Sequence, residues 1–330
     1  MPRANCASSP FRSANPARRG HCEVQRWQAV LEAILIAGPT ASGKSTAALA
    51  LAERLGGTII NADSMQVYRE LQVLTARPSA AEMETAPHRL YGTVPGRDAY
   101  SVGRWVGDAA AAIEDARERG QVPILVGGTG LYFMAMLQGL SPVPEIPEDI
   151  RRHWRERAAT AAGTDLHAVL SARDPVMAVR LSPTDTQRLV RALEVIDATD
   201  VSLADWQETA GTPVLNDEAV LKMLVAPERE TIYTAIDGRF EHMLQAGALA
   251  EVEALAGLEL DPGLPVMRAL GVSELRSYLS GAMSLEEAAT KAKTASRRYA
   301  KRQMTWARRF MADWTWVPSG EAAAASVQID

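Results

Sequence analysis

The chain has 330 residues, 47% of them hydrophobic and 23% charged, which is enough for a full α/β core and a smaller second lobe. Its 35 Lys and Arg against 40 Asp and Glu give a net charge of −5, which excludes a generally basic surface and restricts any nucleic-acid contact to a local stripe. No apolar run is long enough to span a bilayer, and the only two cysteines, Cys6 and Cys22, are too few for a cysteine zinc cage and fit a reducing, cytosolic setting.

Residues 1–31 are rich in Arg, Ser, Ala and Pro, with Arg3, Arg12, Arg18 and Arg19 and no acid before Glu23. A disordered leader, or residues added by an upstream start, is expected here. The alternative is an organelle-targeting presequence, but Pro2, Pro10 and Pro16 break any amphipathic helix.

The apolar run Ala33–Ala37 leads into Gly38, Pro39, Thr40, Ala41, Ser42, Gly43, Lys44 and Ser45, which read G-x-x-x-x-G-K-S, and then into a helix-forming run from Ala47 to Glu53. Strand, loop and helix in that order make a phosphate loop. Gly38 and Gly43 let successive N–H groups point inward at the positive end of the following helix, Lys44 supplies a cation, and Ser45 offers a hydroxyl to Mg²⁺. A bare glycine turn is the plain alternative. The pattern leaves the phosphate compound open, since a prenyl diphosphate satisfies it as well as ATP does.

Thr58–Asp63 reads as a second strand whose end delivers Asp63, Ser64, Met65, Gln66, Val67 and Tyr68. Ligands of an open parallel sheet lie at the carboxyl ends of its strands, so Asp63 is expected beside the phosphate site, a helix cap or turn being its other fate. A third strand is predicted over Arg89–Val94. A helix follows from Ser101 to Arg119, and then a buried strand over Val122–Val126 ending in Gly127, Gly128, Thr129 and Gly130. This alternation predicts a doubly wound parallel sheet of the P-loop type.

After the proline-rich connector Ser141–Pro147 the patterns are helical to about Gly211, with Arg151, Arg152, Arg155 and Arg157 at the start and Gln187, Arg188, Leu189, Val190 and Arg191 on a later helix. Leu221–Ala226 returns as a strand. The predicted organisation is therefore a discontinuous core, 32–144 with 216–330, interrupted by a small helical insertion, 145–215. Arg229 to about Leu258 is predicted helical, with Arg239 near its middle. The last long helix, about Ser284 to Phe310, carries Lys291, Lys293, Arg297, Arg298, Lys301, Arg302, Arg308 and Arg309 and no acid from Lys291 onward. Such a stripe on an acidic protein suits a phosphate backbone, the alternative being a solvated surface helix.

Gly38–Ser45, Asp63–Tyr68, Val126–Tyr132 and Ala300–Trp306 together resemble the tRNA dimethylallyltransferases, and Gln187–Glu194 and Arg239-Phe240 with Met243-Leu244 agree. The resemblance spans residues 32 to 318. It implies transfer of a dimethylallyl group from dimethylallyl diphosphate to N6 of the adenosine 3′ to the anticodon, in tRNAs reading codons that begin with U, by a monomeric enzyme using Mg²⁺. Asp63 is then the expected base. Lys44, Thr129 and Arg239 are expected at the diphosphate, and Asp63, Ser64, Met65, Gln66 and Thr129 around the flipped-out adenine. Arg151, Gln187–Arg191, Arg297, Lys301 and Arg302 are expected on the tRNA anticodon stem-loop.

Two stretches depart from the family pattern, the first at Leu74 for a glycine and Arg77 for a lysine. Val73-Leu74-Thr75-Ala76-Arg77-Pro78 stands where Ile-Gly-Thr-Ala-Lys-Pro is usual, and Val272 stands where an aromatic usually follows the glycine. The first is expected to bear on a loop beside the substrate, the second on an RNA contact. Three rivals stay open at this point: a P-loop kinase for a small metabolite, an adenylate isopentenyltransferase acting on free nucleotides, and an RNA-binding protein with a vestigial phosphate loop.

Overall fold

The computed structural model describes residues 31–327, so the expected leader, Leu31 apart, lies outside the described residues. The first strand, β1 (Ala33–Ala37), is followed by α1 (Lys44–Leu55) and β2 (Gly57–Asn61). A short α2 (Ala80–Thr85), β3 (His88–Arg89), α3 (Val102–Glu118), β4 (Val122–Gly127) and α4 (Gly130–Gln138) come next. Contact between residues divides the chain into two units, one running to Phe133 and resuming at Leu215, the other Met134–Val214.

The first unit is built on one six-stranded sheet of order β3-β2-β4-β1-β5-β6, completed by β5 (Val220–Val225) and β6 (Thr315–Val317), and every pair is parallel. All residues of β1, β2 and β4 are buried, as strands covered by helices on both faces must be, and β1 and β4 are accordingly almost continuous Ala, Val, Ile and Leu. Ile34, Ile36, Ile59, Ile124 and Val126 pack against α1 through Ala48, Leu51 and Leu55. Against the other face α3 buries Trp105, Ala109 and Ile113. Ser101 caps α3 by accepting from the N–H of Arg104.

The predicted third strand is shorter than expected. Only His88–Arg89 pairs, because Leu90 takes a left-handed φ of 65° that turns the chain out of the sheet, and Val94 returns as a single bridge to Tyr68. The sequence reading also missed β6 and the helix after it, α14 (Gly320–Ser326), whose three-residue strand and alanine-rich turns carry little periodicity.

Four helices complete this unit: α10 (Arg229–Gln245), α11 (Ala248–Ala256), α12 (Val272–Leu279) and α13 (Leu285–Phe310). The single helix expected over 229–258 is broken at Gly247, which has φ 101°. The basic helix α13 starts with a full capping box, Ser284 with Glu287. Its buried side packs against α10 and α12, with Ala288, Ala289 and Ala292 joining a core of Phe240, Val252, Val272, Leu275, Val67, Tyr68 and Leu74. Val272 is fully buried in that core, so it is a packing residue and not the RNA contact that its departure from the family pattern suggested.

The second unit holds the end of α4, then α5 (Glu148–Thr160), α6 (Gly163–Arg173), α7 (Pro175–Arg180), α8 (Thr186–Thr199) and α9 (Leu203–Glu208). Trp154, Leu166, Leu170, Met177, Leu189 and Leu193 form its core. Its two chain passages are joined where Val214 N–H donates to the Met136 carbonyl at 2.9 Å and where the Gly139 and Gly211 backbones press together.

Candidate active site

The phosphate loop joins β1 to α1 with Gly43 at φ 86° as the residue before the helix, a conformation that favours glycine. A Cβ on Gly38 would lie 2.7 Å from the Ser42 hydroxyl and 2.8 Å from the Val225 carbonyl, so the loop folds onto the end of β5 only because that position lacks a side chain. Lys44 lies against its own loop, donating from Nζ to the Pro39 carbonyl at 3.2 Å. Burial pulls its ammonium down to about 8, a shift that Arg239 deepens and Asp63 opposes. Arg239 reaches in from α10 to donate to the Thr40 hydroxyl, and its burial likewise lowers its guanidinium against the nearby charge of Asp63.

Asp63 stands just past the end of β2. Its Oδ1 accepts from the N–H of Met65 at 2.9 Å, the turn role anticipated for it, and Oδ2 makes no hydrogen bond among the described residues. Asn61 holds its backbone from both sides, accepting from the Asp63 N–H at 2.9 Å and donating to the Asp63 carbonyl at 3.0 Å, with a second bond to Leu90 O at 3.1 Å. Asn61 is fully buried, and the Trp105 indole donates to its carbonyl at 2.9 Å. The sequence reading passed over Asn61; a polar side chain at the end of a strand buried on both faces was the available signal.

Thr129 enters from the end of β4. Its Oγ1 accepts from the Ser64 N–H at 3.0 Å and lies 3.3 Å from the Ser64 hydroxyl, and its own N–H donates to the Ala62 carbonyl at 3.2 Å. The loops after β2 and β4 are thereby tied together. A Cβ on Gly128 would lie 3.5 Å from Asp63 Oδ2. Tyr91, Tyr132 and Tyr299 surround this point, and burial, followed by the charge of Asp63, raises all three phenols well above their usual range, so they stay neutral.

A cavity of about 240 Å³ opens beside the phosphate loop at the ends of β1, β4 and β5. Its walls are mostly apolar and include Pro39, Leu131, Leu224, Met304, Trp306 and Met311. Ser45 is exposed in the first turn of α1, and its hydroxyl makes no hydrogen bond among the described residues. Among the described residues there is also no cluster of three or more His, Cys, Asp or Glu side chains able to hold a metal alone. Residues of this kind fit a cation carried in with a phosphate ligand and capped by Ser45.

The other anticipated contacts separate into kinds. Gln66 donates both amide hydrogens, to Thr75 O at 2.8 Å and Ala76 O at 2.9 Å, so it braces the neighbouring loop and offers only Oε1. Met65 is partly buried against the α10–α13 core. On α13, Lys301 and Arg302 are exposed, whereas Arg297 lies 3.3 Å from Asp237 on α10. In the helical unit Gln187 and Arg188 are exposed, Val190 is half-buried, and Arg191 faces Glu194 at 3.5 Å. Leu189 corrects the expected RNA set: it is fully buried in that unit's core and has no surface to present. Arg151 is half-buried, and its Nε has no partner among the described residues.

Comparison with known proteins agrees with this geometry. A family described as IPP transferase matches residues 66–310, and one described as Isopentenyl transferase matches 31–94. A tRNA dimethylallyltransferase of Methylocella silvestris is 54% identical over 292 residues, covering 88% of this chain and 96% of the relative. That of Agrobacterium fabrum is 50% identical over 285 residues, covering 86% and 96%. Among solved structures, the tRNA isopentenylpyrophosphate transferase of Bacillus halodurans superimposes with TM-score 0.62 at 34% identity, covering 86% of this chain and 88% of that one. A eukaryotic dimethylallyltransferase acting on tRNA gives TM-score 0.74 at 27% identity, covering 86% and 73%. Similarity that runs at half identity through nearly all of the described chain, phosphate loop and basic helix included, makes this protein a member of the tRNA dimethylallyltransferase family.

Proposed function

We propose that the protein transfers a dimethylallyl group from dimethylallyl diphosphate to N6 of the adenosine 3′ to the anticodon, in tRNAs reading codons that begin with U. The observation that carries this reading is the apolar cavity opening directly beside the phosphate loop, with Asp63 and Thr129 on the adjoining strand ends. A prenyl chain needs such walls next to a diphosphate site. A small-metabolite kinase would need a polar acceptor pocket there instead.

The exocyclic amine of adenine is a weak nucleophile, its lone pair being delocalised into the ring. Asp63 Oδ2 takes its proton as the N–C bond forms and the allylic C–O bond breaks, the bonding electrons leaving with the diphosphate. Positioned bases of this kind contribute roughly 10²–10⁴-fold. Lys44, Arg239 and the loop N–H groups stabilise the charge that grows on the leaving group. Family membership is consistent with a divalent-metal requirement; Mg²⁺ on Ser45 and the diphosphate would add further charge stabilisation.

An adenine stacked in an anticodon loop has to be flipped out to meet these groups, with Ser64 and Gln66 Oε1 at its edge. Lys301, Arg302, Arg297 and, from the helical unit, Arg151, Gln187, Arg188, Val190 and Arg191 would hold the tRNA, in a monomeric cytoplasmic enzyme. The described residues contain no helix long and apolar enough to cross a membrane.

The test is to incubate the purified protein with Mg²⁺, labelled dimethylallyl diphosphate and unmodified tRNA, with ATP and free AMP as parallel substrates. Label is expected in tRNA alone. Label on AMP, or phosphate transfer from ATP without prenylation, would overturn the reading.

A further inference from the structure

We propose that Gln303 is a positioning residue that sets the distance between the two halves of the active site. Its amide on α13 spans the loops after β1 and β4: Oε1 accepts from the Thr40 N–H at 3.0 Å and Nε2 donates to the Gly128 carbonyl at 2.9 Å. The orientation is forced, because a backbone N–H can only donate and a carbonyl can only accept. Thr40 belongs to the phosphate loop and Gly128 immediately precedes Thr129, so one side chain connects the leaving-group loop to the acceptor loop.

The surroundings make this connection stiff. A Cβ on Gly128 would overlap the Gln303 amide, and one turn further along α13 the Trp306 ring occupies the space that a Cβ on Gly130 would need. Thr129 is thus held between two glycines, each covered by a side chain of the same helix. Thr40 is gripped a second time, through its hydroxyl, by Arg239. Transfer requires the allylic carbon, the diphosphate and the adenine amine in one line, and a misplacement of about 1 Å costs on the order of 10²-fold.

The proposal rests on the substrates assigned above, and its test separates the two claims. Gln303→Leu removes both hydrogen bonds with little change in volume. Gln303→Glu keeps the acceptor toward Thr40 but, when ionised, sets a carboxylate oxygen against the Gly128 carbonyl. When protonated, the introduced carboxyl restores one donor and one acceptor in the original arrangement. At pH 8 both variants are expected to lose about 10²-fold in kcat/KM. On lowering the pH to about 5.5, the ratio of Gln303→Glu to wild type is expected to recover about tenfold or more, while that of Gln303→Leu stays flat. Asp63, Lys44, Arg239, Tyr299 and Arg302 face this region in every protein compared, and Gln303→Leu serves as the control for their own titration.

A variant that merely damaged packing would show no such recovery. A Gln303→Leu protein within threefold of wild type, or a flat ratio for Gln303→Glu, would overturn the proposal. If the wild type transfers no prenyl group to tRNA, the substrate reading fails. The role of Gln303 is then read from the affinity for inorganic pyrophosphate with Mg²⁺, where the same pH-dependent recovery in Gln303→Glu is expected and its absence counts against the proposal.

Discussion

Gly320 presses its Cα against the carbonyl of Gly43 so closely that a Cβ there would overlap the oxygen, and would stand 3.5 Å from the N–H of Ala47. The start of α14 therefore backs the phosphate loop at the residue where it turns into α1, and Ala323 anchors α14 in the same core as Leu51. Gly320→Val is expected to push the loop inward and raise the KM for dimethylallyl diphosphate about tenfold or more, leaving tRNA affinity unchanged. Steady-state kinetics and a tRNA filter-binding assay decide it; a folded variant with wild-type KM would show that the contact has no bearing on the loop.

The two oxygens of Asp63, the proposed base, make asparagine an informative replacement. Asp63→Asn keeps the hydrogen bond from Met65 N–H and removes the proton acceptor, so turnover is expected to drop by about 10²–10⁴-fold with tRNA affinity within a few-fold. Asp63→Ala should lose at least as much, since the turn goes too. Single-turnover measurement on saturating tRNA tests both, and unchanged turnover in either protein would remove Asp63 from the chemistry.

The lowered pKa of Lys44, about 8, gives the diphosphate site a pH signature. The protonated ammonium is the form that binds an anion. Below pH 8 it is already present, and above pH 8 each further unit of pH is expected to weaken pyrophosphate affinity by up to about tenfold, with a proton taken up on binding. Calorimetry in buffers of different ionisation enthalpy at pH 7 and pH 9 measures that uptake, expected only at the higher pH. Equal uptake at both would assign the shift elsewhere.

Glu251 on α11 accepts from three successive backbone N–H groups, Gln72, Val73 at 2.8 Å and Leu74 at 2.9 Å. It caps the turn whose far end, Thr75 and Ala76, holds the Gln66 amide. Glu251→Ala is expected to cost about 1–3 kcal/mol of stability and to raise the KM for tRNA while sparing that for the prenyl diphosphate. Thermal melting together with the two KM values separates a loop effect from general unfolding; equal rises in both would argue against a role at the acceptor side.

Leu74 and Val272, two of the residues that depart from the family pattern, fall in one packed cluster. A Cβ on Gly271 would lie 3.1 Å from Leu74 and 3.2 Å from Phe240, and Val272 is buried in the same cluster. A larger residue at 74 and a smaller one at 272 thus share one core, although they are far apart in the chain. Nothing in either segment read alone shows that they share a core, so the sequence by itself suggests an RNA contact at Val272. Leu189 misled for a similar reason, lying in a run with exposed Arg188 while its helical phase turns it into the core.

What the sequence determined by itself was local. The phosphate loop is encoded within eight consecutive residues because its function resides in backbone N–H groups and glycine conformations. The buried strands and capped helices are legible because burial on both faces and hydrogen bonding at helix ends restrict residue types over short windows. Six motifs in order sufficed for the family. The tertiary structure alone decided how the motifs meet: Asn61 bracing Asp63, Gln303 joining Thr40 to Gly128, Gly320 behind Gly43, Glu251 under the Gln66 loop. Apart from Asn61, these pairings each cross more than a hundred residues, and they exist only because a parallel sheet brings the carboxyl ends of separate strands to one edge, where helices from the end of the chain can close over them.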